Sequence, residues 1–327
     1  MKRYAILCSG GDSQGMNICI KAFVNTCTTH GIIPIGIRRG YQGLIDNDMI
    51  FLDNSMVDNI QGLGGTILKV SRSEEFRTPS GLNKAVRNLE KNAIDGIVII
   101  GGNGTYNGAV NLMAKGVKVI ALPGTIDNDL YYTDRTLGFD TAVNNAVRNV
   151  DDMMQTMDAN SRGMVVRVMG RDCGDIALYT ALGSMANSVA TRELGTSVMD
   201  IVNDVKVSLK NGDNSPLVIV SENCEYGVKE VERALRENLG IDTRSTDLGY
   251  IQRGGAPTIF DRMFGMNMGI MSVELLEKDI YGVAIGMKNN DLFYTPLDSC
   301  LNARRDFDFD MYEKLRKMHN IDGVIVD

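Results

Sequence analysis

The 327-residue chain has only two histidines, His30 and His319, and neither lies near any of the motifs below, so no chemical role falls to histidine. Its six cysteines, Cys8, Cys19, Cys27, Cys173, Cys224 and Cys300, include no C-x-x-C pair and mostly stand inside apolar stretches. Small buried thiols in a reducing compartment are expected, rather than disulfides or a zinc site. No stretch reaches the roughly 18 apolar residues of a membrane span. The run Tyr4 to Cys8 is too short for a secretory signal and reads as a first strand, so a cytoplasmic protein is expected. Basic excess is also missing. A net charge of -7 and a pI near 5.1 argue against a general nucleic-acid binder, whose phosphate partner demands surplus Lys and Arg. A local arginine cluster still suits a small phosphorylated ligand. There is no repeat of fixed period and no low-complexity linker; the polar stretch Lys210 to Pro216 reads as a short surface loop.

What is present is an ordinary globular composition, 44% hydrophobic and 23% charged, long enough for two lobes with a large core. Nineteen methionines read as core filler. Apolar, β-branched runs recur at Tyr4 to Cys8, Ile32 to Ile37, Gly96 to Ile100, Val117 to Leu122, Met164 to Val168, Leu217 to Val220 and Val283 to Gly286. Helical patterns separate them at Leu82 to Lys91, Asn107 to Ala114 and Phe139 to Met157; in the last, Val143, Ala146, Val147, Val150 and Met154 share one face. The alternation predicts an α/β protein of βαβ units, with mostly parallel sheets flanked by helices. Ligands then gather beyond the carboxyl ends of the strands.

Five segments at such ends could carry chemistry. Ser9-Gly10-Gly11-Asp12-Ser13 joins a strand to a helix; it suits a phosphate held by backbone amides, or a tight turn capped by Asp12 or Ser13. Gly101-Gly102-Asn103-Gly104-Thr105 leaves bare backbone for phosphates, or is a turn with Asn103 as helix cap. In Pro123-Gly124-Thr125-Ile126-Asp127-Asn128-Asp129, one carboxylate could take a proton from an attacking alcohol and the other hold magnesium; a solvated acidic turn is the plainer reading. Met169-Gly170-Arg171, with Arg162 before it, and Thr243-Arg244 through Tyr250-Ile251-Gln252-Arg253-Gly254-Gly255 offer guanidiniums suited to phosphate oxygens, though each alone also reads as a solvated arginine beside a turn.

Taken in this order, the segments resemble the 6-phosphofructokinase family, in its short bacterial ATP-dependent form. The match runs from Met1 to about Asn302. Its most specific strings are Pro123 to Asp129 followed by Leu137-Gly138-Phe139-Asp140-Thr141-Ala142, Met169-Gly170-Arg171, and Gln252-Arg253-Gly254-Gly255. The resemblance implies two Rossmann-like lobes: 1–138 with 255–304 for nucleotide, and 139–254 with 305–327 for sugar phosphate. It implies that Gly11, Tyr41, Arg72, Ser73, Phe76, Arg77, Gly102, Asn103, Gly104, Thr105 and Gly108 line an ATP pocket. Asp127 would accept the proton of the sugar's 1-hydroxyl, Thr125 and Asp129 would position phosphate and attacking oxygen, and Asn103 and Asp129 would meet Mg2+ arriving with ATP. Arg171, with Arg72 as a second candidate, would stabilise the moving phosphoryl group. Met169, Gly170, Glu222, Tyr250 and Arg253 would hold fructose 6-phosphate, with Arg162 and Arg244 reaching in from a neighbouring subunit of a homotetramer.

Departures from the family pattern accompany the matches. Asn103 stands where an aspartate is usual, which should weaken metal binding. Tyr250 replaces a histidine, Ser73 a cysteine and Gln14 a proline. The positions of a basic effector site hold Lys21, Asn25, Asn54, Met154, Asn211 and Asp213, so the usual effector control is not expected. Gly104 and Gly124 stand where pyrophosphate-using members carry aspartate and lysine. Besides an ATP-dependent 6-phosphofructokinase, two alternatives fit: a weakly active or inactive paralogue partnering a separate catalytic subunit, and a kinase for another phosphosugar such as tagatose or sedoheptulose phosphate. The charged segment Arg304 to Asp310 reads as a helix start with surface charge.

Overall fold

Strand and helix alternate from the first residues of the chain. The order is β1 (Arg3–Cys8), α1 (Met16–Thr29), β2 (Ile33–Ile37), α2 (Gly40–Asp46), β3 (Met49–Phe51), α3 (Pro79–Lys91), β4 (Gly96–Gly101), α4 (Asn103–Met113) and β5 (Val119–Pro123). After α5 (Phe139–Ala159) come β6 (Gly163–Val168), α6 (Asp175–Gly183), β7 (Ser188–Ala190), α7 (Val198–Lys210), β8 (Leu217–Ser221), α8 (Val228–Leu239) and β9 (Thr243–Asp247). The chain continues through α9 (Ile259–Glu277), β10 (Val283–Lys288), β11 (Asp291–Pro296), α10 (Leu297–Cys300) and α11 (Phe309–Met318). The computed structural model describes residues 1–321. They divide into a first unit, Met1–Thr141 with Arg253–Arg305, and a second, Ala142–Gln252 with the chain from Asp306.

The first unit holds a seven-stranded sheet in the order β11-β10-β5-β4-β1-β2-β3. Its centre is parallel, and only the edge strands β3 and β11 run antiparallel to their neighbours. β1, β4 and β5 are continuous apolar runs because both faces are covered. Ile6, Val98, Ile100 and Leu122 pack on one face with Phe23 of α1 and Phe264 and Met268 of α9. Leu7, Ile97, Ile99 and Ala121 pack on the other with Leu89 of α3 and Tyr106 of α4. The period of two along each strand thus feeds two separate cores.

The second unit holds a parallel four-stranded sheet, β7-β8-β6-β9. Val165, Val218 and Val220 pack against Ile201 and Val205 of α7 and Val231 and Leu235 of α8. α11 is tied to this unit by a buried ion pair, Arg316 Nη1 to Asp204 Oδ1 at 3.1 Å, and Asp204 also accepts from Ser188 Oγ at 2.8 Å. Burial raises the Asp204 carboxyl above its ordinary range despite the guanidinium beside it. Among the described residues no disulfide forms; five of the six cysteines are buried and Cys224 is half-buried, and burial pushes the thiols of Cys8 and Cys300 up to about 12.

Three local expectations need correction. Helix α1 is capped by Gly15 in the left-handed region, not by Asp12 or Ser13. Helix α4 is capped by Gly102, with Asn103 as its first residue, because the Asn103 side chain is drawn elsewhere. The segment from Arg304 is not simply the start of a helix: α11 begins at Phe309, where Asp308 Oδ1 accepts from Met311 N at 3.1 Å, and Arg305 is turned into the first unit.

Candidate active site

In the first unit, the loops after β1, β4 and β5 converge through short hydrogen bonds. Ser9 N donates to Ile100 O at 2.9 Å, Thr105 Oγ1 donates to Ser9 O at 3.0 Å, and Gly124 N donates to Gly101 O at 3.0 Å. They leave the sheet at the carboxyl ends of three adjacent parallel strands, which is why residues so distant in sequence meet. Around α4, Tyr41 donates its hydroxyl to Thr105 O at 2.6 Å and stacks on Phe76, with ring centroids 4.0 Å apart and planes within 6°. The Tyr41 ring also lies flush with Gly108, where a Cβ would come within 2.5 Å of it. Burial raises the Tyr41 phenol well above its ordinary value. Ser73 Oγ donates to Gln42 Oε1 at 2.8 Å, and Arg72 and Arg77 stand exposed nearby in sequence. Among the described residues, nothing lies within 4 Å of a Cβ placed at Gly104. At Gly124 a Cβ would meet Ile100 Cγ2 at 2.6 Å, so packing against the core by itself calls for glycine there.

The loop from Gly124 to Gly138 carries the carboxylates. Thr125 Oγ1 accepts from Asp127 N at 3.2 Å, and Asp127 is half-buried. Asn128 adopts a left-handed backbone, φ 54°, and its buried side-chain oxygen accepts from Thr136 N at 2.9 Å. Asn103 Nδ2 donates to Asp129 O at 3.0 Å and to Asp129 Oδ2 at 3.1 Å. The two acceptors fix which end of the amide faces Asp129. Asn103 thus meets the neighbouring carboxylate as a donor, where a second carboxylate would have to share a cation or a proton. Among the described residues, no group of three or more His, Cys, Asp or Glu could by itself hold a metal ion. The set does suit an ion that arrives on a nucleotide's phosphates, since magnesium is commonly held by one or two carboxylates plus substrate oxygens.

The first unit also contains Arg253. Its guanidinium lies over the backbone of Gly11, where any Cβ would collide with Nη2. Its buried Nε finds no hydrogen-bond partner among the described residues. Gln14 Nε2 joins the same two segments, donating to Gly254 O at 2.8 Å.

In the second unit, the turn after β6 is shaped by Glu222. Its Oε1 accepts from Gly170 N at 3.1 Å and Arg171 N at 2.7 Å, and Arg171 takes a left-handed φ of 55°. Met169 N donates to Gln252 Oε1 at 3.1 Å. The Arg171 side chain stands 64% exposed beyond this turn. Arg162 and Arg244 are brought together by Asp242, which accepts from Arg162 Nε at 2.8 Å and from Arg244 Nη1 at 2.6 Å. Tyr250 is 79% exposed. Sequence reasoning missed Asp242 and the part played by Gln252. The first stands two residues before Arg244, the second one residue before Arg253, and neither belongs to a residue type that alone marks a site.

At three of the positions read as a lost effector site, the side chains have ordinary structural partners. Lys21 Nζ donates to Gln61 Oε1 at 3.2 Å, Asn211 Nδ2 donates to His319 O at 3.2 Å, and Asp213 Oδ2 accepts from Asn187 Nδ2 at 2.6 Å.

The comparisons with known proteins agree on one family. A family model described as phosphofructokinase matches residues 3–276. The chain is 40% identical over 313 residues to an ATP-dependent 6-phosphofructokinase of Paenibacillus macquariensis, covering 96% of this chain and 97% of that one. It is 41% identical over 313 residues to an ATP-dependent 6-phosphofructokinase of Clostridium botulinum, covering 96% and 98%. Among solved structures, that of phosphofructokinase from Saccharomyces cerevisiae matches with a TM-score of 0.89 at 27% identity over 97% of this chain, which spans 50% of the yeast chain. Near-complete coverage in the bacterial relatives, with glycine-rich and acidic loops meeting at the edge of a parallel sheet, leads to one conclusion: the chain belongs to the phosphofructokinase family.

Proposed function

We propose that the chain transfers the γ-phosphoryl group of ATP to the 1-hydroxyl of fructose 6-phosphate, the glycolytic reaction its bacterial relatives are named for. The observation that carries this reading is the convergence of the three loops of the first unit. It brings the open backbone at Gly104 together with the Thr125, Asp127 and Asp129 loop. In this reading the first unit is the nucleotide lobe and the second the sugar-phosphate lobe. Tyr41, Ser73, Phe76, Arg77 and Gly108 take the nucleoside end of ATP, and Arg72 faces its phosphates. The Gly11 turn and Gly102 to Thr105, at the amino end of α4, take its phosphates.

The sugar's 1-oxygen attacks the γ-phosphorus as its proton passes to the Asp127 carboxylate. The bond from the γ-phosphorus to the β,γ-bridging oxygen breaks, and ADP leaves with that oxygen. Little covalent help is required; alignment and positive charge on the travelling oxygens supply the rate, and Arg171 provides that charge. Met169, Gly170, Tyr250 and Arg253 hold the sugar phosphate. Glu222 acts chiefly by shaping the Met169 to Arg171 turn. Arg162 and Arg244 grip the 6-phosphate of the sugar bound in a neighbouring subunit of a homotetramer, and Asp129 would hold a magnesium ion that arrives on the phosphates of ATP. A cytoplasmic enzyme without the usual anionic effector site is the setting. Among the described residues no helix is long and apolar enough to cross a membrane.

A coupled assay with ATP and fructose 6-phosphate over a magnesium series tests the reading. Turnover that saturates in both substrates is expected. Asn103→Asp is expected to lower the magnesium concentration for half-maximal rate, since it adds a hard carboxylate about 3 Å from another. No turnover by the folded protein at high magnesium would contradict the reading; turnover only in Asn103→Asp would favour a regulatory paralogue.

A further inference from the structure

We infer that Arg305 is a positioning residue for the phosphoryl-transfer loop, an inference that rests on the reading that Asp127 works at the transferred group. Arg305 closes the first unit and lies beyond the 3–276 span that the family model matches. Its guanidinium reaches back to the Gly124 to Gly138 loop. Nη2 donates to Asn128 O at 3.2 Å, and Nη1 donates to Asp134 O at 3.1 Å and Thr133 O at 3.4 Å. The same group lies 5.7 Å from the centre of the Tyr131 ring. One planar side chain thus spans three carbonyls of a single loop, which a fixed fork of donors does better than a rotating ammonium.

The placement matters because Asn128 separates Asp127 from Asp129. The Asn128 carbonyl lies in the rigid peptide plane that leads to Asp129, so holding that oxygen holds the direction in which the chain leaves the left-handed residue. The Asn128 side chain meanwhile accepts from Thr136 N and donates to Asp134 O at 3.3 Å. Asn128 is therefore fastened inside the loop by its side chain and from outside by Arg305. Releasing the outer fastening leaves the carboxylates present but free to drift from the geometry that transfer requires.

The test uses the full chain with fructose 6-phosphate and magnesium-ATP, and the variants Arg305→Gln, Arg305→Lys and Asp127→Asn. Arg305→Gln is expected to lower kcat about tenfold or more, since a misplacement of order 1 Å can cost about 100-fold. Both KM values should stay within about twofold, the pattern of an interaction felt only in the transition state. Arg305→Lys should fall between. Guanidinium ion at millimolar concentration should restore Arg305→Gln saturably, with ammonium ion ineffective. Amides of residues 125–137 should exchange faster while those of β1 and β4 do not. Wild-type kcat in the folded fraction of Arg305→Gln, with only a lower Tm, overturns the inference. Should that variant fail to fold, Arg305→Lys decides, and wild-type kcat there overturns it. Wild-type turnover in Asp127→Asn overturns the underlying reading instead, whatever Arg305 does.

Discussion

In the first unit, Asp127 rides a loop whose neighbours are buried and multiply bonded. Asn128 is tied to Thr136, Thr133 N donates to Leu130 O, Asp134 N donates to Met287 O at 2.9 Å, and Tyr132 donates its hydroxyl to Ile285 O at 2.7 Å. In the second unit, Arg162 and Arg244 share one carboxylate, Asp242, with all three side chains between 35% and 46% exposed. In the proposed reaction the contrast separates two tasks. Moving a proton at a reacting oxygen tolerates little drift and is placed on a rigid loop. Gripping a phosphate dianion needs charge and reach, and half-exposed arginines meet that need while exchanging one anion for another.

The largest loss is expected for Asp127→Ser, at the proposed proton acceptor. Removing the proton acceptor should lower kcat about 100-fold to 10,000-fold, with KM values nearly unchanged; steady-state kinetics that showed a raised KM instead would place Asp127 in binding. Next comes the difference between buried and exposed ion pairs within the second unit. Arg316→Ala strands Asp204 and should cost about 3–5 kcal/mol of stability. Asp242→Ala, at an exposed pair, should cost at most about 1 kcal/mol. Urea unfolding of both variants measures the gap. Arg244→Ala should lose a charge-assisted phosphate contact of about 1.5–3 kcal/mol, raising KM for fructose 6-phosphate and leaving kcat close to wild type in a substrate titration.

The smallest effect concerns Asp261, fully buried in the first unit, where it accepts from Gly138 N at 2.8 Å, Thr141 N at 2.9 Å and the Thr141 hydroxyl. Burial raises its carboxyl from 3.8 to about 6, against the pull of those donors. The folded form therefore holds the proton more tightly than the unfolded chain. The stabilisation this brings is complete below pH 3.8 and is lost as pH rises through about 6. Asp261→Asn does not titrate there, so the Tm gap between wild type and variant should narrow as pH rises from about 5 to about 7.

Much of the frame was legible because it is local. Continuous apolar runs such as Ile97 to Ile100 announce strands buried on both faces, and the glycines after them announce turns at the edge where ligands bind. The edge strands were not legible. β3 has three residues, and β9 reads Thr-Arg-Ser-Thr-Asp, which carries no apolar period. The packing role of Gly124 was not legible, since the sequence does not tell whether a missing Cβ serves a ligand or the packing of Ile100. Least legible was Arg305, whose hydrogen bond to Asn128 spans 177 positions and follows from how the chain returns to the first unit, with no local pattern to mark it.

Phosphorus NMR of the wild-type protein with ATP, fructose 6-phosphate and magnesium follows both products of phosphoryl transfer at once. Equal amounts of ADP and fructose 1,6-bisphosphate are expected; unchanged fructose 6-phosphate, with the protein folded and magnesium saturating, would show that the terminal phosphate of ATP does not reach the 1-oxygen of the sugar.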